Sequence, residues 1–123
     1  MATERDWQTL LQQADFRIRL LVGDRSTLEL TGVLRESAPS ELIVPALERL
    51  ESCRSKRFLI DMSSLHYMNA GCFRVIASWL KKVSARGDVQ LSVRTSASQR
   101  WQVLMMPALR AVVGPGLESE LVE

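Results

Sequence analysis

The stretch Phe58-Leu59-Ile60-Asp61-Met62-Ser63-Ser64-Leu65-His66-Tyr67-Met68-Asn69-Ala70-Gly71-Cys72 changes from strand chemistry to helix chemistry within fifteen residues. Phe58 to Met62 is nearly continuous in apolar side chains, the mark of a strand covered on both faces. A short polar turn follows. Asn69 is a strong N-cap residue, and beyond it Cys72, Phe73, Ile76, Trp79, Leu80 and Val83 recur at the spacing of one helix face. Lys81, Lys82 and Arg86 complement the end of that helix, and Gly87 suits the position just after it. Strand, loop and helix N-terminus in this order form the place where open α/β sheets carry their working surfaces.

The flanks extend the pattern. Upstream, Phe16, Ile18, Leu20 and Val22 alternate with Arg17, Arg19 and Leu21, and Leu28, Leu30 and Leu34 alternate with Glu29 and Thr31. With Gly23-Asp24-Arg25-Ser26 between them, these runs predict a hairpin, and Gly32 marks a bulge or a close backbone approach. Ser37 to Ser40 reads as the start of a helix carrying Leu42, Ile43, Ala46, Leu47 and Leu50, with Pro45 expected to kink it or delay its regular start. Downstream, Val89, Leu91 and Val93 give a further strand. A last helix from about Ser96 or Ser98 is expected to stop at Pro107. At the N-terminus, Trp7, Leu10, Leu11 and Ala14 stand at helical spacing and predict a short amphipathic helix.

The expected architecture is α/β: a small mixed β-sheet with helices mainly on one face, plus the N-terminal amphipathic helix. The segments are 1–15 as a helical extension, 16–112 as the domain and 113–123 as a polar tail, loosely held except at Leu121-Val122.

Totals narrow the functional classes. A chain of 123 residues, 46% apolar and 24% charged with a formal charge of +2, is in the globular range and suits one domain. No apolar run reaches the roughly 18 residues of a membrane-spanning helix, and the first residues lack secretory-signal order, so a cytoplasmic protein is expected. Cys53 and Cys72 show no paired spacing and read as reduced thiols. The basic group Arg54-Ser55-Lys56-Arg57 has no interleaved aromatic residues and reads as a solvated loop, so no nucleic acid is expected as a partner. No spaced set of His, Cys and carboxylate suggests a metal, and no Gly-rich loop suggests a phosphate cofactor. Cys72 with His66 would need a third orienting group to form a nucleophilic site, so no catalytic residue is assigned.

Leu28-Glu29-Leu30-Thr31-Gly32-Val33-Leu34, Ala38-Pro39-Ser40-Glu41-Leu42, Phe58-Leu59-Ile60-Asp61-Met62-Ser63-Ser64-Leu65, Tyr67-Met68-Asn69-Ala70-Gly71 and Arg86-Gly87 occur in an order and spacing that resembles the STAS domain family of bacterial anti-sigma factor antagonists. The resemblance runs from about Phe16 to Leu109. It implies a non-enzymatic, partner-switching signalling module that binds a GHKL-type kinase or anti-sigma factor, or a PP2C-type phosphatase. In that family a serine at the helix N-terminus is phosphorylated to release the partner. Here the acceptor position falls on Gly71, the serine before it on Ala70, the acidic residue on Asn69 and the following glycine on Cys72. The resemblance therefore implies a module without the usual serine switch. Its partner-binding residues are Ser63, Ser64, His66, Asn69, Ala70, Gly71 and Arg74. Two other functions compete: a small-ligand or nucleotide-binding domain using the same helix N-terminus, and a structural subunit of a signalling assembly. In the second, Trp7 on the N-terminal helix would be the anchor, and the same helix offers a route to a homodimer.

Overall fold

In the computed structural model the described residues are 3–35 and 39–123. Among them the chain forms a seven-stranded sheet and three α-helices. The predicted hairpin is present as β2 (Phe16–Leu21) and β3 (Arg25–Leu34), antiparallel with Ile18 opposite Leu30 and Arg19 opposite Glu29. The chain then extends the sheet by strand–helix–strand units. Helix α1 (Pro39–Glu51) leads to β4 (Arg57–Asp61), helix α2 (Ala70–Ser84) to β6 (Gln90–Ser96), and helix α3 (Arg100–Val113) to β7 (Glu118–Val122). Each of the pairs β3–β4, β4–β6 and β6–β7 is parallel. This is the arrangement that crossover helices impose on successive strands.

Strand β3 is long enough to serve two parallel neighbours. Arg25 to Glu29 pair with β4, whereas Gly32 to Leu34 pair with a short strand β5 (Leu65–Met68). The residues expected to form only a loop before α2 therefore include a strand. The register between β3 and β5 shifts at Gly32 and Val33, where the Gly32 φ is +102°. The Gly32 N–H donates to the Ser64 carbonyl at 3.1 Å, and the Val33 N–H to the Asp15 carbonyl at 2.8 Å. Gly32 is thus the joint at which the end of the sheet turns toward α2.

The helices pack as one layer, α1 beside α2 beside α3, over one face of the sheet. Ile18, Leu20, Leu28, Leu30, Phe58, Ile60 and Val93 supply the sheet side of a single apolar cluster. Ile43, Leu47, Ile76, Leu80, Val83 and Leu109 supply the helix side. Phe58 and Trp79 meet with ring centroids 6.2 Å apart.

The first residues correct one expectation. No amphipathic helix lies at the N-terminus: a 3-10 turn, Glu4–Asp6, leads into strand β1 (Trp7–Gln12), which pairs antiparallel with β2. Its register shifts between Thr9 and Leu11. The extra residue brings the adjacent Leu10 and Leu11 toward the core, and a bulged strand with that pattern mimics helical spacing. Trp7 lies on the other face, covered by the Arg19 guanidinium 4.6 Å from its ring centroid, a cation–π contact. The anchor and dimer route proposed for an N-terminal helix loses its basis.

Two further expectations are corrected. Helix α3 does not stop at Pro107 but continues to Val113. Helix α1 contains Pro45. Both prolines are on the solvent side, where water can serve the carbonyl that a proline leaves without a donor. The segment 113–123 is not a loose tail. Leu117 is buried, and β7 lies along β6 from Ser92 opposite Glu118 to Ser96 opposite Val122.

The helix-free face of the sheet is covered by its own charges. Leu59 is fully buried but lies outside the core cluster, on this opposite face, with Thr27 and Ser92 beside it in register. Over this row Glu120 accepts hydrogen bonds from Arg25 and, at 2.8 and 3.1 Å, from Arg94, and Arg94 also donates to Asp61 at 3.2 Å. Arginine stems lying flat exclude water from apolar atoms while their heads stay paired. Burial pushes the Glu120 carboxyl up, but the hydrogen bonds and charges of Arg94 and Arg25 outweigh it and hold the group below its ordinary value. A depressed carboxylate stabilises the fold above its unfolded pKa, and that contribution disappears as pH falls through the folded value. Glu120→Gln is therefore expected to be less stable than the native protein at neutral pH, with the difference shrinking toward zero below about pH 4. Urea midpoints measured from pH 7 to pH 3 check this. A difference constant across that range would exclude the linkage.

Candidate functional site

The N-terminus of α2 is set by contacts from three directions. Strand β4 leaves the sheet after Asp61, and the Met62 N–H donates to the Arg94 carbonyl at 2.9 Å. Asp61 then holds the turn: its Oδ1 accepts from the Ser63 N–H at 3.0 Å and from the Ser63 hydroxyl at 2.7 Å. Strand β5 returns the chain along the end of β3, and the Asn69 N–H closes it by donating to the Leu34 carbonyl at 3.2 Å. Asn69 has extended backbone geometry, and its Oδ1 accepts from the Cys72 N–H at 2.9 Å, while its carbonyl accepts from Phe73. It caps α2 as its residue type foretold, a contribution of about 1 kcal/mol.

Gln102 is a second support, one that the sequence did not reveal. It lies on α3 with no solvent exposure. Its Nε2 donates to the Met62 carbonyl at 2.5 Å and the Leu65 carbonyl at 2.8 Å, and its Oε1 accepts from the Ser96 N–H at 2.8 Å. One amide side chain thereby ties both ends of the Met62–Leu65 turn to the end of β6. Its signal was a glutamine on the buried stripe Gln102, Met106, Leu109 of an otherwise apolar helix face. A buried polar group needs partners, so that pattern foretells a latch.

The seven residues singled out from the sequence fall into two groups. Asn69, Ala70, Gly71 and Arg74 lie together on the first turns of α2, with Ala70 and Arg74 exposed. Gly71 and Arg74 also border a cleft of about 450 Å³ between α1 and α2, floored by Val44, Leu47, Val75 and Trp79. The other three are turned elsewhere. The Ser63 hydroxyl is committed to Asp61, and the exposed Ser64 gives its carbonyl to Gly32. His66 is exposed on β5, and its Nδ1 is hydrogen-bonded at 2.8 Å to the Gln99 side-chain amide at the start of α3.

Chemically the site presents a capped helix end with small residues in its first turn. Among the described residues no group of three His, Cys, Asp or Glu side chains is arranged to hold a metal ion. His66 and Cys72 do not form a nucleophilic pair, because Cys72 is buried in the core while His66 is exposed and bonded to Gln99. Both cysteines are thiols. Among the described residues no helix is long and apolar enough to cross a membrane.

An anti-sigma factor antagonist from Mycobacterium paratuberculosis has the same architecture, with a TM-score of 0.60 over 96% of this chain and 90% of that one, at 13% identity. The fold is the STAS fold. SiaC from Pseudomonas aeruginosa, solved in complex with the diguanylate cyclase SiaD that it activates, is also similar. Its TM-score is 0.64 over 93% of this chain and 98% of that one, again at 13% identity. No family model and no curated protein matches the sequence. On the STAS fold the end of α2 is formed here by Asn69-Ala70-Gly71, none of which carries a hydroxyl.

Proposed function

We propose that the chain is a non-enzymatic signalling module that docks on a protein partner through the N-terminus of α2 and the turn before it, residues 63–75, without a serine switch. One observation carries this reading. The helix end is firmly built by Asn69, Asp61 and Gln102, yet its first turn, Ala70 and Gly71, presents almost no side chain. Rigid backbone with small residues suits close approach by another surface and offers nothing to phosphorylate. The Ser63 hydroxyl in the preceding turn already donates to a carboxylate, and a phosphate there would face Asp61 with like charge. The module would accordingly stay in the state that the family's dephosphorylated members use for binding.

The neighbours support a signalling enzyme or regulator as the partner. One is an antagonist of an anti-sigma factor, and the other activates a diguanylate cyclase. A GHKL-type kinase or anti-sigma factor, or a PP2C-type phosphatase, is the partner class this reading favours. Ser63, Ser64 and His66 would form the rim of the contact, and Asn69, Ala70, Gly71 and Arg74 its centre.

The test compares the native protein with Gly71→Asp as bait in extract of its own cells. Asp at the second position of a helix is favoured by the dipole, so the variant should melt no lower than the native protein. The carboxylate would nonetheless project where the family places its phosphate. Capture of a signalling enzyme by the native bait, lost with Gly71→Asp, is the expected result. Equal capture by both baits moves the interface to another surface and refutes the assignment.

A further inference from the structure

The cleft between α1 and α2 opens at Gly71, the residue at the centre of the proposed contact, and runs along α2 to Lys82. We infer that it receives an amphipathic helix of the protein partner, carrying carboxylates on one flank and a basic residue on the other. This rests on the docking function proposed above and names the element that would dock.

The spacing along α2 suits a third helix. Gly71, Val75, Ser78 and Lys82 line the cleft at intervals of four, three and four. This is the seam along which two helices pack nearly parallel. Gly71 and Ser78 are small, so a partner's larger side chains could lodge beside them. Val75 and, from α1, Val44 give the cleft an apolar floor, with the indole of Trp79 behind. At 1.5 Å per residue the span from Gly71 to Lys82 is about 16 Å, so roughly three turns of a docked helix would fill it.

The walls differ in charge, and the difference fixes the occupant's chemistry. Arg74 and Lys82 stand on the α2 side and Glu48 on the α1 side. Arg74 and Glu48 make no ion pair among the described residues, and Lys82 has only a 3.8 Å contact with Glu51. Glu51 is itself occupied by the Trp79 indole N–H at 3.1 Å and Arg86 at 3.2 Å. A complementary helix would place carboxylates seven or eight residues apart against Arg74 and Lys82, and a lysine or arginine against Glu48. Complementary charge of this kind fixes register and orientation more than it adds affinity.

The experiment uses the full chain in its own cells, with a photoreactive benzoylphenylalanine introduced in place of Ser78 in one strain and Ala70 in another. Crosslinked peptides are then sequenced by mass spectrometry. The expected result is one partner from both positions. From position 78 the crosslink should fall in a helical segment with apolar residues at intervals of three and four and the stated flanking charges. Combining Arg74→Glu with Lys82→Glu should lower the yield at position 78 by about tenfold. Crosslinks from position 70 alone would overturn the cleft assignment and leave the docking function standing. Crosslinks from position 78 alone would support the cleft and remove the helix end from the contact. Crosslinks at 78 to a second copy of this chain, to a segment without that pattern, or from neither position would overturn the inference.

Discussion

Gly32→Ala is expected to lower the melting temperature by on the order of 10 °C or to prevent folding outright. A Cβ built at Gly32 would meet the Asp15 carbonyl oxygen at 2.0 Å, its carbon at 2.9 Å and the Phe16 Cα at 3.2 Å. All three are backbone atoms, so no rotamer change relieves the clash. The φ of +102° adds a second cost, because a residue with a side chain is strained there. Together the two should cost about 3 kcal/mol or more, a large part of a small domain's stability. The strain also has a direction. Relief would move Asp15 and Phe16 away from β3 and loosen the joint from which β5 and α2 depart. Thermal and urea unfolding of the variant check this, and a midpoint within 2 °C or so of the native one would show that the bulge accommodates a methyl group.

Gln102→Leu should cost about 3 to 5 kcal/mol, although the side chains are similar in size. The substitution leaves the carbonyls of Met62 and Leu65 and the N–H of Ser96 without their side-chain partner in a site closed to water. The Met62 carbonyl keeps the Leu65 N–H at 2.9 Å, so the cost falls mainly on the other two groups, at about 1–3 kcal/mol each. A second variant separates polarity from packing. In Gln102→Glu a carboxylate would face those two carbonyl oxygens, which disfavours its charge and raises its pKa in the folded state. The folded protein then binds the proton more tightly than the unfolded chain, so this variant should gain stability as pH falls from 7 to 5, opposite to the Glu120 effect. A Gln102→Leu protein within 1 kcal/mol of the native one in urea would mean that the turn repairs its own hydrogen bonds.

The parts of the fold legible in the sequence are those whose periodicity is undisturbed. The hairpin β2–β3, strand β4 and helix α2 each bury one clean face, and Asn69 announces the start of α2 by its side-chain chemistry. The misread parts share a different cause. At Leu10 an inserted residue turned a strand pattern into a helical one. At Pro107 a residue that ends helices stands where its cost is met by solvent, so the burial of Leu109 decides the outcome. Strand β7 is an edge strand with exposed Leu121 and Val122, and its contribution lies mostly in main-chain pairing with β6, which composition does not report. The candidate site divides in the same way. Its helix end was local and could be read. The α1–α2 cleft was not readable, because Val44, Leu47 and Glu48 come from a helix far upstream and meet α2 only in the folded protein.

Strand β3 is antiparallel to β2 on one side and parallel to both β4 and β5 on the other. That dual membership divides the route to the folded state into two tempos. The meander β1–β2–β3 joins neighbours through short turns and pays little loop entropy, so it can assemble early. The parallel pairings, β3–β4, β4–β6 and β6–β7, each wait on an intervening helix, and the last admits Glu118–Val122 beside β6. Until then β6 has an open edge, the exposure that invites pairing with another chain. During synthesis, the interval between the appearance of β6 and the arrival of β7 is therefore one in which the nascent protein needs protection.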